Sequence, residues 1–426
     1  MKIPVRRSPL IVWLLLVLAS GVYATPPISR VIVPENYEVR ARYRDLIFGP
    51  RNEIHEFKPV VEEQLGRDNQ VSMQVVSQNG SFYLVFTNED NGEYPLYSQG
   101  SYVIKRDLET GEFTQIKIFI RSEPGSFIRI HPAGRRSKMD VYLMDTLLYK
   151  GVVLPLSLKQ IAVESFSKIV ELSGFQVEWD LLTPVSQRPE DLITLSMINT
   201  LRENLVNVLD ADDGAMDENG EYRFIDDLAE NPDGGFNCSG FAKWVVDGLY
   251  QPVTGQLLSI EQLKEKHLDY RGNAWSEHLE DNRDPYFGLD WTRNLAMAIL
   301  SPKTDITVNP EVADVKSVPF FDYFEDVGYR IRDLEQVLYF LTRVEPGYFY
   351  LGSVNRDFGK DPVLKQHVHV VVLFPYFDEN GVFHTAVMER NSETGLKSLK
   401  NRYPSDHIHL VRVPVSEGYT PPSVEF

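Results

Sequence analysis

A single cysteine, Cys238, stands in the whole 426-residue chain, so no disulfide can form within it. Whatever fold the chain adopts must be held by packed apolar cores without covalent staples. The composition permits this, since 43% of residues are hydrophobic and 12% aromatic. The length allows roughly two or three domains.

The N-terminus "MKIPVRRSPLIVWLLLVLASGVYATPP" has a basic start (Lys2, Arg6, Arg7), an apolar run over residues 10–18, and Val22 and Ala24 before a small-residue site. That layout predicts a signal peptide over residues 1–24, cleaved after Ala24, and hence an exported, soluble protein, periplasmic or extracellular. No later stretch is long enough for a membrane span. The net charge of −18, more negative still once the basic start is removed, disfavours nucleic acid and anionic lipid as partners. In an oxidising compartment an unpaired cysteine is buried and inert, paired between chains, or kept for its thiolate.

The pattern along the chain predicts an α+β protein. Residues 25–158 read as a β-rich domain, an antiparallel sheet or small sandwich. "SFYLVF" (81–86) and "QIKIFI" (115–120) are strand-like, and Asn79-Gly80, Asn91-Gly92, Thr110-Gly111 and Pro124-Gly125 supply hairpin turns. Residues 159–220 read as a helical connector, from apolar residues at three- and four-residue spacing. Its acidic end "DADDGAMDENGEY" (210–222) lacks the offsets of a calcium loop and is expected to be a solvated turn. Residues 221–426 form a mixed domain with a helical insertion at about 255–330. There "YFGLDWTRNLAMAI" (286–299) reads as a packed helix cap rather than an aromatic lid. The basic "RIHPAGRRSKMD" (129–140) reads as a solvated loop.

The cysteine sits in "GFNCSGFAKWVVDGLY" (235–250), where Ser239 is the expected N-cap and Phe241, Val245 and Leu249 share a helical face. At a helix start a thiolate is stabilised by the dipole and by free N–H groups. To act as a nucleophile it needs a histidine base, and the histidine needs an orienting partner. His367 and His369 lie in the apolar strand "HVHVVVLFPYF" (367–377) and are expected on one face of it. Glu389 lies on the next strand, after the Asp378-Glu379-Asn380-Gly381 turn. A metal alternative rests on the two His-x-His pairs, 367/369 and 407/409, with His384 or Cys238 as a third ligand. It does not account for the glycine-rich helix start, so no metal is expected. His384, His407 and His409 are expected to face solvent or a strand neighbour.

At these residues the chain resembles a family. "FNCSGFAKWV" is similar to the cysteine motif of NlpC-type cell-wall peptidases, whose papain-like core is circularly permuted. "EPGYFYLG" (345–352) resembles the strand before the family's histidine, "HVVVLFPYFDENGVF" (369–383) its histidine strand and hairpin, and "VMERNSETG" (387–395) the strand with its third catalytic residue. The resemblance covers residues 220–415. It implies Cys238 as nucleophile, His369 as base and Glu389 as orienting residue, with Asn237 and Ser239 flanking the substrate. It further implies an amide substrate, such as a peptidoglycan stem peptide, and no cofactor. Four features depart from the family: Asn237 replaces an Asp that helps hold a substrate amine, Tyr348 replaces an Asp, Cys238 and His369 are 131 positions apart (369 − 238), more than in compact members, and Tyr222 is only a candidate for the upstream tyrosine. The alternatives are a binding or scaffolding protein that has lost activity, and a thiol-dependent acyl or amide transferase.

Overall fold

A computed structural model describes residues 33–50, 54, 57–64, 69–268, 284–302, 309–359 and 363–424. The expected signal peptide, residues 1–24, lies outside them, as do residues 269–283 and 303–308 of the expected insertion. No helix among the described residues is long and apolar enough to cross a membrane.

Turn chemistry builds the first sheet. Asn79 and Gly80 both take positive φ (50° and 69°), the two-residue turn whose twist matches a hairpin. The turn joins β2 (Val71–Gln78) to β3 (Ser81–Asn88). The other strands follow in chain order: β1 (Val60–Glu62), β4 (Tyr102–Asp107), β5 (Phe113–Phe119), β6 (Phe127–Ala133), β7 (Arg136–Leu143) and β8 (Thr146–Leu154). Each pairs with its sequence neighbour, giving one eight-stranded antiparallel meander rather than two packed sheets. The residues read as a basic loop, 129–140, are mostly the paired strands β6 and β7, and Arg129 contacts Asp140 and Tyr142.

One face of this sheet is covered by the helix Phe166–Ser173 and the short helix Trp179–Leu182, through buried Phe166, Ile169, Trp179 and Leu182. The stretch read as a connector is therefore divided. Its first half completes the core of the first sheet, because those apolar side chains have that face to fill. Its second half, the helix Pro189–Leu205, packs on the second sheet. Buried Arg40 ties in the N-terminal helix Tyr37–Arg42: its guanidinium lies 3.6 Å from the Tyr102 ring centroid and donates to the Ala162 and Glu164 carbonyls.

After the hairpin β9 (Ala215–Met216) and β10 (Tyr222–Arg223) comes the cysteine helix, Cys238–Thr254. The second sheet contains β11 (Tyr329–Arg330), β12 (Tyr348–Phe358), β13 (Leu364–Phe377), β14 (Phe383–Glu389), β15 (Ser392–Thr394) and β16 (His407–Pro414). Its spatial order is β11-β16-β12-β13-β14-β15, and all its pairings are antiparallel. Alternation along β13 serves two cores. Val371, Leu373 and Phe377 face the helix Leu334–Val344 and share a core with the first sheet. Val370, Val372 and Phe374 face the cysteine helix and the helix Phe287–Leu300. Trp291 and Arg293 of that second helix are fully buried and residues 288–296 are core, so the helix is not a lid.

The chain's last described segment crosses the back of the cysteine helix. The Thr420 N–H donates to the Gly248 carbonyl at 3.0 Å, and the Trp244 indole donates to the Pro422 carbonyl at 2.9 Å. Gly248 has no side chain because Tyr419 lies against it: a Cβ there would be 2.6 Å from the ring.

Candidate active site

The position of Cys238 is set by two backbones in close contact. Gly234 and Gly235 enter the cysteine helix with φ of 64° and 95°. The Asn237 N–H donates to the Gly214 carbonyl at 3.2 Å. One turn on, a Cβ on Gly240 would lie 1.9 Å from that same carbonyl oxygen. Glycine is thus the residue that lets the helix start rest on the hairpin.

The N-cap is Asn237, not Ser239. The Asn237 Oδ1 accepts from the Gly240 N–H at 2.8 Å, which makes Cys238 the first helical residue. The Asn237 Nδ2 donates to Asp213 Oδ1 at 3.1 Å. Ser239 is 3% exposed, and its carbonyl accepts from the Trp291 indole at 3.0 Å. Both residues border the cleft, as framework around the thiol.

His369 bridges the other two expected residues. Its Nε2 lies 3.3 Å from Glu389 Oε1, and it lines one cleft with Cys238, whose thiol is close enough to shift its titration. Burial opposes a charged imidazole, but the hydrogen bonds and negative charge of Cys238 and Glu389 outweigh it, and the His369 pKa is raised to about 9. Burial likewise pushes the Cys238 thiol up. The hydrogen bond and charge of His369, the Val370 N–H and the Arg390 guanidinium overcome it and hold the thiol below its ordinary value. Both shifts favour a thiolate–imidazolium pair.

Glu389 is 4% exposed and fully engaged: Thr394 Oγ1 donates to its Oε2 at 3.0 Å, and Arg402 donates to both oxygens. Burial raises its pKa, but His369 and Arg402 reverse this and keep the carboxyl below the usual range. Tyr403 stacks on the His369 ring, with centroids 6.0 Å apart and planes at 26°.

The two histidines of β13 do not share a face. Val354 of β12 pairs with His369 while the next residue, Asn355, pairs with His367, so Val368 is the extra residue of a bulge. Consecutive residues of β12 point opposite ways, and so do their partners. His367 turns toward the helix Phe287–Leu300, where Ser353 Oγ and the Asp326 carbonyl contact its two nitrogens at 2.8 and 2.9 Å. Burial above all, with the charges of His409 and Arg293, pushes its pKa down to about 3, so it is a neutral framework group.

The remaining histidines are dispersed. His409 is fully buried rather than solvent-facing: Asp314, 3.4 Å away and paired with buried Arg293, needs a polar neighbour there. His384 is exposed and meets Asp378 at 2.9 Å, and His407 packs edge-on against Phe324. The His-x-His pairs thus fail to converge. Among the described residues the one close group of potential metal ligands is Glu311, Glu325 and Asp326, and Lys316 already pairs with the two glutamates.

The cleft over Cys238 has a volume of about 490 Å³, with Asp213, Phe287, Gln366 and His369 among its walls. Tyr222 does not line it; its ring packs on Phe236 at 5.6 Å. The acidic segment expected to be a solvated turn supplies framework contacts: Asp213 holds Asn237, and Asp210 pairs with Arg390 at 3.0 Å. Sequence reasoning missed Arg390, Thr394, Arg402 and Tyr403. The signal for Arg390 was its place directly after Glu389; Arg402 and Tyr403 gave none, since the helix Leu396–Arg402 is what folds them back.

Residues 29–181 match a domain of unknown function, DUF8515. The match spans the first sheet and its covering helices and ends before Cys238. Neither a curated protein nor a solved structure matches the chain.

Proposed function

We propose that this chain is an exported cysteine hydrolase of the NlpC type, with a papain-like C-terminal domain, that cleaves an amide bond in peptidoglycan stem peptides. The observation that carries this reading is one imidazole, His369, shared between a thiol at a helix start and a buried, ionised carboxylate. In the reaction the Cys238 thiolate attacks the amide carbon. The N–H groups at the helix start that Asn237 leaves uncapped bind the oxyanion that forms. As the C–N bond breaks, the imidazolium of His369 gives its proton to the leaving amine, leaving an acyl-thioester. His369 then takes a proton from water, whose hydroxide attacks the thioester, and the acid leaves with the thiolate restored. Glu389 holds the imidazole orientation and stabilises its charged form throughout. This chemistry needs no cofactor.

The test is the rate of Cys238 alkylation by iodoacetamide against pH, in the wild type and in His369→Ala and His367→Ala variants. An ordinary thiol titrates near ~8.5, and an activated one reacts well below ~7.5. The proposal requires an acid-shifted profile that reverts in His369→Ala and persists in His367→Ala. An ordinary profile in all three would leave a binding or scaffolding protein with an inert cysteine. If the thiol is active, hydrolase and transferase differ in whether water or an added amine takes up the acyl group.

A further inference from the structure

The pair of His369 and Glu389 rests on one more residue. Burying a carboxylate costs several kcal/mol unless its oxygens are satisfied, and Glu389 is 4% exposed. Thr394 and His369 each supply one contact. Only Arg402 reaches both oxygens, its Nη2 donating to Oε1 and Oε2 alike in a charge-assisted contact. The helix Leu396–Arg402 ends at this residue, and the next residue, Tyr403, stacks on His369. Arg402 and Arg356 both lie over the Tyr403 ring, 5.4 and 5.0 Å from its centroid. One two-residue segment therefore touches the carboxylate through its charge and the imidazole through its ring.

We infer that Arg402 is the positioning residue of the site: its Nη2, shared between the two carboxylate oxygens, keeps Glu389 aimed at His369, and so sustains the pair with Cys238. The inference rests on the hydrolase reading above. Arg402 is 42% exposed at its side chain and touches neither thiol nor imidazole, so its action runs through Glu389. Without it, a buried carboxylate would be left beside an imidazolium with a single hydroxyl for support. The pair is then relieved by moving the proton from His369 to Glu389, and the thiolate loses its counter-charge.

The experiment is the pH profile of Cys238 alkylation by iodoacetamide in Arg402→Met and Arg402→Lys, each also made in a Glu389→Gln background. Thermal melts check that each variant is folded. Removing an opposite charge at this range shifts a pKa by about 1 unit or more. Arg402→Met should therefore move the acid limb up by about 1 unit and cut reactivity about tenfold on that limb. Arg402→Lys, which keeps a charged nitrogen on a different stem, should recover part of the shift. With Gln at 389 the Arg402→Met change should have little further effect, because the two residues act in series. An acid-shifted wild type whose profile is unmoved by Arg402→Met overturns the inference and leaves the hydrolase reading standing. The same shift with Gln at 389 as with Glu would also overturn it, since Arg402 would then act by another route. An ordinary wild-type profile removes the hydrolase reading, and this inference with it.

Discussion

Gly240→Ala tests whether the close approach of helix and hairpin sets the nucleophile. Intrinsic propensity predicts that this substitution stabilises a helix by up to about 1 kcal/mol. The contact predicts the reverse. The new methyl carbon would lie 1.9 Å from the Gly214 carbonyl oxygen and 3.1 Å from the Ala215 Cα, both main-chain atoms that no rotamer change can clear. The helix start and the hairpin must part by roughly 1 Å to relieve it, a strain of about 1–3 kcal/mol. Gly214 also accepts from Asn237 N–H, so the displacement pulls on the cap itself. His369 belongs to a different element, β13, and does not follow. A misplacement of about 1 Å between reacting groups costs on the order of 100-fold in rate. Thermal unfolding followed by circular dichroism should show a melting temperature several degrees lower. Alkylation of Cys238 should lose its acid-shifted limb. A melting temperature at or above that of wild type, with an unchanged alkylation profile, would refute the reasoning from close approach.

Two further substitutions separate cap from charge. Asn237→Asp keeps an oxygen for the Gly240 N–H but faces a second carboxylate, Asp213, across what was a 3.1 Å hydrogen bond. It should lower stability by about 1 kcal/mol and raise the apparent thiol pKa, read by urea unfolding and alkylation at neutral pH. Glu389→Gln should flatten the acid limb of stability. The Glu389 pKa lies below its ordinary 4.5 in the folded chain, so its contribution is full above 4.5 and lost as pH falls below it. Urea midpoints measured between about pH 5 and pH 3 should fall less steeply in the variant than in wild type; parallel slopes would contradict the assignment.

The strands of the second sheet were legible because their chemistry is unambiguous. The apolar run at 367–377 and the segment carrying Glu389 both became strands, and Asp378-Glu379-Asn380-Gly381 became the hairpin turn between them. Cys238, His369 and Glu389 were legible because few side chains can carry that chemistry, and the structure brings the three together. The bulge at Val368 was not. In "HVHVVV" every second residue can face either core, so an extra residue leaves no mark on the periodicity. Ser239 and Asn237 are both competent caps two residues apart, and which one serves depends on where the Gly214 carbonyl lies. The helix Phe287–Leu300 looked like an addition to the domain, yet Trp291 donates to the Ser239 carbonyl and braces the start of the cysteine helix. Arg402 and Tyr403 are ordinary surface residue types until a helix and a strand edge bring them to the pair.

The crossing of the cysteine helix by residues 419–422 also bears on when the site comes into being. The first sheet is made of neighbours in sequence, and such pairings close quickly as a chain emerges. The second sheet waits for β16, which is synthesised last of its strands yet lies between β11 and β12. The cysteine helix waits longer still, since its back is covered only when Tyr419 and Pro422 arrive. A nascent or C-terminally truncated chain would hold Cys238 and His369 without the framework that joins them. The surroundings of Cys238 and His369 are thus assembled only once residues 407–422 have joined the sheet and the helix.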